Sequence, residues 1–122
     1  MINSNLITKN HMGIKTIGWD GSVATYEDAA LLLMGTQHQG EIECSYSRLL
    51  ATFGEPESGD GDKTQAEWII ATPDGIAAIY DWKQGDGYLG AGNGAPVEQI
   101  TQWSIGGHSP KVVEWIRYAI GK

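Results

Sequence analysis

The stretch QAEWIIATPDGIAAIYDWK at residues 65–83 contains two apolar runs separated by the tetrapeptide TPDG at residues 72–75. A proline at the first central position presets the backbone of a turn, and Gly75 can adopt the positive φ that other residues avoid. Because both flanking runs are rich in β-branched and aromatic residues, the stretch predicts a β-hairpin. We expect the sheet of this protein to be centred on that hairpin.

Alternation along a strand predicts which side chains of the hairpin share a face. On the first strand, one face consists of Trp68, Ile70 and Thr72. On the second strand, one face consists of Ile76, Ala78, Tyr80 and Trp82. A side this rich in large residues can seed a core, so we expect both Trp68 and Trp82 to be buried.

The chain has 122 residues, 41% of them apolar, which is the size of one domain that buries its own core. Residues 1–13 show no periodicity, so we expect them to form a flexible tail before a single domain at residues 14–122. No apolar run is long enough to span a bilayer, and the N-terminus lacks the pattern of a signal peptide. With Cys44 as its one cysteine, the chain is predicted to work in a reducing cytoplasm.

The formal net charge of the chain is −7. An acidic chain does not attract phosphate backbones, so we expect no direct binding to nucleic acid. A basic partner is compatible with this charge, and a solvated acidic surface is the ordinary alternative explanation.

Four segments before the hairpin have recognisable patterns. Residues 14–19 and 23–26 predict two short strands joined by an Asp-Gly turn. Residues 25–34, TYEDAALLLM, fit either a short helix or a buried strand, since periodicity does not separate the two at this length. Residues 46–53 predict an amphipathic helix, because Ser45 can cap its start and Gly54 can end it.

Three further segments follow the hairpin. Residues 84–96 form a glycine-rich loop of unusual length, which is typical of a functional or a mobile loop. Residues 100–105 predict a third strand beside the hairpin, ended by the glycine pair at 106–107. Residues 110–120 predict a C-terminal helix with Ser109 as its N-cap.

Together these patterns predict an α+β domain. Its small antiparallel sheet is centred on the hairpin at residues 65–83. The short helix near residues 46–53 and the C-terminal helix near residues 110–120 pack on one face of that sheet.

The soft and imidazole ligands in the chain are few, and their spacing fits no zinc motif. They are His11, His38, His108 and Cys44. The loop at residues 60–62, DGD, could offer carboxylates to calcium but lacks the rest of a calcium-binding loop, so a solvated turn is the simpler interpretation. Cys44 precedes a predicted helix without a histidine nearby in the sequence, which favours a packing role over a nucleophile. We therefore predict no catalytic residues, no metal and no cofactor.

The one segment that suggests a ligand site is the turn before the C-terminal helix. Its glycines permit close approach of a ligand to the backbone, and the start of the helix offers unpaired N–H groups and a positive dipole end. The candidate anion-binding residues are Gly106, Gly107, His108, Ser109 and Lys111. The alternative is an ordinary turn in which Ser109 caps its own helix.

From about Gly35 to the C-terminus, the sequence resembles a group of small hypothetical proteins encoded by bacteriophages and marine viruses. The motifs that carry the resemblance are FGEP at 53–56, EW at 67–68, PDG at 73–75, IYDWK at 79–83 and WSIGG at 103–107. The resemblance implies a viral origin and no particular activity. In that group a histidine tends to stand where this chain has Ser104, and a strand tends to precede the Gly-Thr pair. The second tendency favours a strand over a helix at Leu31–Met34.

These observations leave three hypotheses on function. The first is a non-enzymatic viral binding protein that interferes with a host process, either by binding a host protein or by sequestering a small anionic ligand such as a nucleotide. The second is a small enzyme that acts on a phosphorylated or nucleotide substrate, with His108 as acid or base. The third is a structural or assembly protein of the virion. A homo-oligomer is compatible with each of them, and a membrane partner is expected for none.

Overall fold

The computed structural model describes residues 7–9, 14–17, 35–59, 61–72 and 74–121. Within these ranges, seven strands form one sheet: β1 (Ile7–Lys9), β2 (Ile14–Ile17), β3 (Gln37–Glu43), β4 (Glu57–Ser58), β5 (Ala66–Thr72), β6 (Gly75–Tyr80) and β7 (Gln102–Gly107). The helical segments are α1 (Tyr46–Phe53), α2 (Asp86–Leu89), a single 3₁₀ turn (Val97–Gln99) and α3 (Lys111–Ile120). The predicted α+β class is confirmed.

The sheet has the strand order β1-β2-β5-β6-β7-β3, and β4 pairs with β5 as well. Its centre, β5-β6-β7-β3, is antiparallel throughout, as the sequence predicted. One pairing is parallel, because β2 runs in the same direction as β5. The strand Ile7–Lys9 lies within residues 1–13, where we expected a tail, and it pairs with β2. The rest of that segment lies outside the described residues, as do residues 18–34 with their predicted strand and their helix-or-strand alternative.

The hairpin turn follows the sequence closely. Gly75 has a φ of +113°, and it lies opposite Thr72 in the pairing of β5 with β6. The hydroxyl of Thr72 accepts a hydrogen bond from the N–H of Asp74 at 3.1 Å and donates one to the carbonyl of Gly75 at 2.6 Å. The threonine side chain thus closes the turn from one side while glycine supplies the required backbone angle.

The predicted faces of the hairpin are wrong. Trp68 lies opposite Ile79, and Ile70 lies opposite Ala77, so the odd-numbered residues of β6 share a face with the even-numbered residues of β5. Because Thr72 pairs with Gly75 across a turn of two residues, the alternation changes parity between the strands. Sequence alternation could not reveal this, since Ile76, Ala77, Ala78 and Ile79 are all buried.

Helices α1 and α3 pack on one face of the sheet, which we call the helix face. Ser45 caps α1 by accepting a hydrogen bond from the N–H of Arg48 at 3.1 Å, and α1 buries Leu49 and Phe53. The apolar stripe of α3 consists of Val112, Val113, Ile116 and Ile120, all buried. Gly121 ends α3 with a left-handed backbone, as its position after the stripe predicted.

Two tryptophans form the centre of the core beneath these helices. Trp68 and Trp103 are both 0% exposed, and their rings meet edge to face at a centroid distance of 5.3 Å. The indole N–H of Trp68 donates to the carbonyl of Gly54, and that of Trp103 donates to the carbonyl of Cys44, each at 2.8 Å. Burial of such large rings contributes strongly to stability when the polar N–H finds a partner, as both do here.

The glycine-rich loop after the hairpin is folded into defined structure. It contains α2, and the carboxylate of Asp86 accepts hydrogen bonds from the N–H groups of Gly92 at 3.1 Å and Gly94 at 2.7 Å. The next strand, β7, extends through Gly106 and Gly107, where we expected it to have ended. Strand β3, which pairs with β7 at the end of the sheet, was not predicted from the sequence.

Candidate functional site

The predicted anion-binding turn does not bring its two glycines to one surface. Gly106 and Gly107 are both buried in β7, and successive residues of a strand point to opposite faces. A Cβ on Gly107 would meet Val112 of α3 at 2.8 Å, so this glycine allows the helix to pack against the sheet. Gly106 lies on the other side of the sheet, where a Cβ would meet the ring of Tyr80 at 3.5 Å.

The remaining residues of that turn surround the start of α3. The hydroxyl of Ser109 accepts a hydrogen bond from the N–H of Lys111 at 3.2 Å, so it satisfies one N–H at the start of α3, although the N-cap residue is Pro110 and not Ser109 as predicted. His108 and Lys111 are exposed, and Glu114 places an acidic side chain in the first turn of the helix. The geometry therefore matches the capping alternative, and anion binding at this turn stays a prediction.

The side of the sheet away from α1 and α3, which we call the groove face, carries a different candidate. Its groove has a volume of about 500 Å³. Two small residues that lie opposite each other, Ala78 and Gly106, form the floor. The described residues around them are Thr36, Gln37, His38, Ser58, Gly59, Thr64, Glu67, Tyr80 and Trp82. Small side chains on central strands between larger ones at the edges give the face its concave shape.

A row of polar side chains crosses the groove face from strand to strand. Glu67 on β5 lies opposite Tyr80 on β6, Tyr80 lies opposite Ser104 on β7, and Ser104 lies opposite Glu41 on β3. Burial raises the pKa of Tyr80 above its ordinary value, and the negative charge of Glu67 raises it further. The phenol of Tyr80 therefore keeps its proton at neutral pH and can donate a hydrogen bond into the groove.

A second hollow of about 280 Å³ continues the groove along this row. It is lined by Glu41, Trp82, Gln84, Gln102 and Ser104. Gln102 donates from its amide to one oxygen of the Glu41 carboxylate at 3.0 Å, and Gln84 donates to the carbonyl of Gln102 at 2.9 Å. Trp82 lines both hollows.

Trp82 itself is 44% exposed, which contradicts the expectation that it is buried. The reason is its place in the chain, since β6 ends at Tyr80 and Trp82 lies two residues beyond the strand alternation on which that expectation rested. Its ring meets Tyr80 edge to face at a centroid distance of 5.9 Å. The ammonium groups of Lys63 and Lys83 lie 5.8 Å and 5.4 Å from the centre of the Trp82 ring.

The backbone holds Trp82 in this outward position from both sides. Before it, the carboxylate of Asp81 is fully buried and accepts three hydrogen bonds. Two come from Gln65, one from its backbone N–H at 2.7 Å and one from its side-chain amide at 2.9 Å, and the third comes from the backbone N–H of Ala66 at 3.1 Å. After it, the N–H of Lys83 donates to the carbonyl of Lys63 at 2.7 Å. Lys83 has a φ of +60°, the one positive φ among the described residues other than glycine. Such a backbone angle is costly for lysine and persists because its surroundings fix it.

Trp82 differs from the other described tryptophans in the hydrogen bonding of its indole N–H. Trp68, Trp103 and Trp115 each donate to a protein oxygen at 2.7–2.8 Å. Among the residues that the structure describes, the N–H of Trp82 makes no hydrogen bond. A rigidly held, exposed indole with a spare donor is a group that can stack on a ligand and hydrogen-bond to it.

Other expected features are placed as follows. Cys44 is buried in the core, in agreement with a packing role. Asp60 lies outside the described residues, and in the described part of the chain no three histidine, cysteine or acidic side chains cluster as a metal site requires. No helix within the described ranges is long and apolar enough to cross a membrane.

Sequence reasoning identified Gly106 of the groove and missed its other residues. The usable signal was the pair Asp81-Trp82, in which a residue type that is rarely buried precedes a large aromatic at the end of a strand. The polar row was not recoverable, because it depends on the register of four strands and β3 was not predicted. Comparisons with models of known protein families, with curated proteins and with solved structures find no match to this chain.

Proposed function

We propose that this chain is a non-enzymatic binding protein and that the groove beside Trp82 is its binding site. The observation that carries the proposal is Trp82 itself, an exposed indole with a spare N–H that a buried carboxylate and a positive-φ residue hold at the edge of a groove. A fold that buries Trp68 and Trp103 completely has the means to bury a third indole. Holding this one outward serves contact with another molecule.

The size of the groove favours a small ligand over a protein partner. A volume of about 500 Å³ lies within the usual range for small-molecule sites. Of the two modes considered for a viral binding protein, sequestering a small ligand therefore fits the groove better than covering a host protein. With the viral origin that the resemblance implies, the place of action would be the host cytoplasm.

The distribution of titratable groups supports binding over acid–base catalysis. His38 on β3 and Glu67 on β5 are separated by β6 and β7, which places them roughly 14 Å apart at the usual strand spacing. A general acid and a general base must both reach the reacting atoms of one substrate. Residues at opposite edges of the groove are better placed to hold the two ends of a ligand.

Binding at Trp82 can be tested by screening a library of small-molecule fragments against isotope-labelled protein. The indole N–H signals of the tryptophans are followed by nuclear magnetic resonance. We expect fragments to shift the Trp82 indole signal, which is assigned by its absence in Trp82→Ala, and to leave those of Trp68 and Trp103 in place.

The matched control is Tyr118→Ala, which removes another exposed aromatic, 46% exposed on α3. Binding should survive in Tyr118→Ala and be lost in Trp82→Ala. If fragments bind equally well to both variants, or shift only signals of residues outside the groove, then the groove is not the binding site.

A further inference from the structure

Ser104 is the most informative residue of the polar row. It is 5% exposed, it lines the smaller hollow, and among the residues that the structure describes its side chain has no hydrogen-bond partner. Among the described residues no buried side-chain nitrogen or oxygen lacks a hydrogen-bond partner, so the Ser104 hydroxyl is not sealed in the interior and reaches the surface of the hollow. It can therefore donate to and accept from a molecule that enters the hollow.

The charged groups around Ser104 restrict the net charge of a ligand that binds there. The carboxylates of Glu67 and Glu41 lie at the two ends of the row, while the ammonium groups of Lys63 and Lys83 lie beside the Trp82 ring. An anionic ligand on the row would face the carboxylates, and a cationic ligand would face the lysines. A neutral ligand meets neither repulsion and still finds charged hydrogen-bond partners of both kinds.

The donors and acceptors favour a ligand that is rich in hydroxyl groups. One oxygen of the Glu41 carboxylate accepts from Gln102, and the other makes no hydrogen bond within the described residues. Tyr80 and Ser104 each offer a hydroxyl between the two carboxylates. A ligand hydroxyl both donates and accepts, so several of them in sequence can bond to the Glu41 carboxylate, the Tyr80 phenol and the Ser104 hydroxyl.

We propose that the groove binds a neutral, hydroxyl-rich ring compound with the chemistry of a mono- or disaccharide; this rests on the proposed function of the groove as a binding site. The C–H face of a sugar ring packs against the exposed indole of Trp82, whose N–H donates to a ring or hydroxyl oxygen. The hydroxyls lie along the row from Glu67 to Glu41, which spans roughly 14 Å over three strand spacings, long enough for two rings.

The test compares three classes of compound at millimolar concentration on the same labelled protein. The saccharides are maltose, cellobiose, lactose and chitobiose, the anion is AMP, and the cation is spermidine. We expect at least one saccharide to shift the Trp82 indole signal and the Ser104 amide signal with a saturable dependence on concentration. AMP and spermidine should bind the groove more weakly than that saccharide or not at all.

Variants then show whether the polar row makes the contacts. Ser104→Ala should weaken binding of that saccharide about three- to ten-fold, the usual effect of one lost hydrogen bond. Glu41→Gln, at an exposed position, should weaken it as well, while Thr101→Ala, which removes an exposed hydroxyl outside the groove, should have no effect. Saccharide binding that is unchanged in both Ser104→Ala and Glu41→Gln would overturn the proposed contacts.

The failure of this inference is separable from the failure of the proposed function. If AMP, spermidine or library fragments shift the Trp82 signal and no saccharide does, the groove is a binding site for another class of compound. If none of them shifts it, the proposed function fails together with the ligand class.

Discussion

The two faces of the sheet use the same kinds of residue for different purposes. On the helix face, Trp68 and Trp103 are 0% exposed, contact each other, and donate their N–H groups to backbone carbonyls. On the groove face, Trp82 is 44% exposed and its N–H has no partner in the described residues. The neighbouring glycines also serve the two faces differently. Gly107 leaves space for α3 to pack on the helix face, and Gly106 forms part of the floor of the groove.

The comparison indicates that the state of the indole N–H distinguishes the two kinds of tryptophan. A tryptophan whose N–H is bonded inside the protein has a structural role, and one whose N–H is unbonded is available for binding. An indole whose N–H is bonded inside the protein has its interactions complete. An indole that is fixed in position and still has an unbonded donor remains available to hydrogen-bond to another molecule. Substitutions on the two faces should therefore affect different properties, with stability changing on one face and binding on the other.

The largest expected effect is on stability at the helix face. Trp68→Ala should lower the free energy of unfolding by about 3–5 kcal/mol, because it leaves a large cavity at the centre of the core. Trp82→Ala should change it by about 0.5 kcal/mol or less, as an exposed position allows. Urea unfolding of the two variants measures both values. Similar losses in the two variants would mean that the groove face is a second core.

An intermediate effect is expected for the glycine pair. Gly107→Ala should destabilise the fold by about 1–3 kcal/mol, because its Cβ would lie 2.8 Å from Val112 and 3.1 Å from the carbonyl oxygen of Ile76. Gly106→Ala is the matched control, since its Cβ would meet Tyr80 and Gln37 at ordinary contact distances of 3.5 Å and 3.7 Å. Thermal unfolding should separate the two, with Gly106→Ala close to the wild type. The reverse order would place the helix-packing glycine at position 106.

The smallest expected effect is a pH dependence on the groove face. The pKa of Tyr80 is raised in the folded protein, first by burial and then by Glu67, relative to about 10 in an unfolded chain. The unfolded state therefore loses this proton at lower pH, and stability should fall as the pH rises from about 10 through the folded-state pKa. Absorbance titration of wild type and Tyr80→Phe isolates this phenol. In Glu67→Gln its pKa should move back toward the ordinary value, and no movement would show that the carboxylate does not act on it.

Local patterns predicted the parts of the fold that local interactions determine. The turn at Gly75, the cap at Ser45 and the stop at Gly121 all depend on residues within one or two turns of chain. The face assignment of the hairpin failed because it depends on which residues pair, and both faces of β6 are apolar. Strand β3 was missed for a related reason, since five of its seven residues are polar or charged and its partners in β7 lie about half the chain away in sequence.

The candidate site was less predictable than the fold. Its polar row comes from β3, β5, β6 and β7, and these residues meet only through the register of the sheet. The sequence alone favours a core position for Trp82, because a large aromatic after an apolar strand is usually buried. The feature that reverses this interpretation is the buried carboxylate of Asp81, which is bonded to residues of the other hairpin strand.

The close packing of the glycine-rich loop at residues 84–96, with itself and with the segment at Gly61, has a consequence for directed evolution of this protein. Surface loops are usually the segments where insertions and substitutions are tolerated. Here a Cβ on Gly87 would overlap the carbonyl oxygen of Gly61, and a Cβ on Gly94 would overlap the backbone of Gly85, so the loops fit together only because side chains are missing. A library aimed at new ligand preferences should therefore keep these glycines and randomise the exposed Tyr88 and Leu89 between them. Substitutions at Tyr88 would change the surroundings of Lys83, whose ammonium lies 5.2 Å from the centre of the Tyr88 ring and 5.4 Å from that of the Trp82 ring.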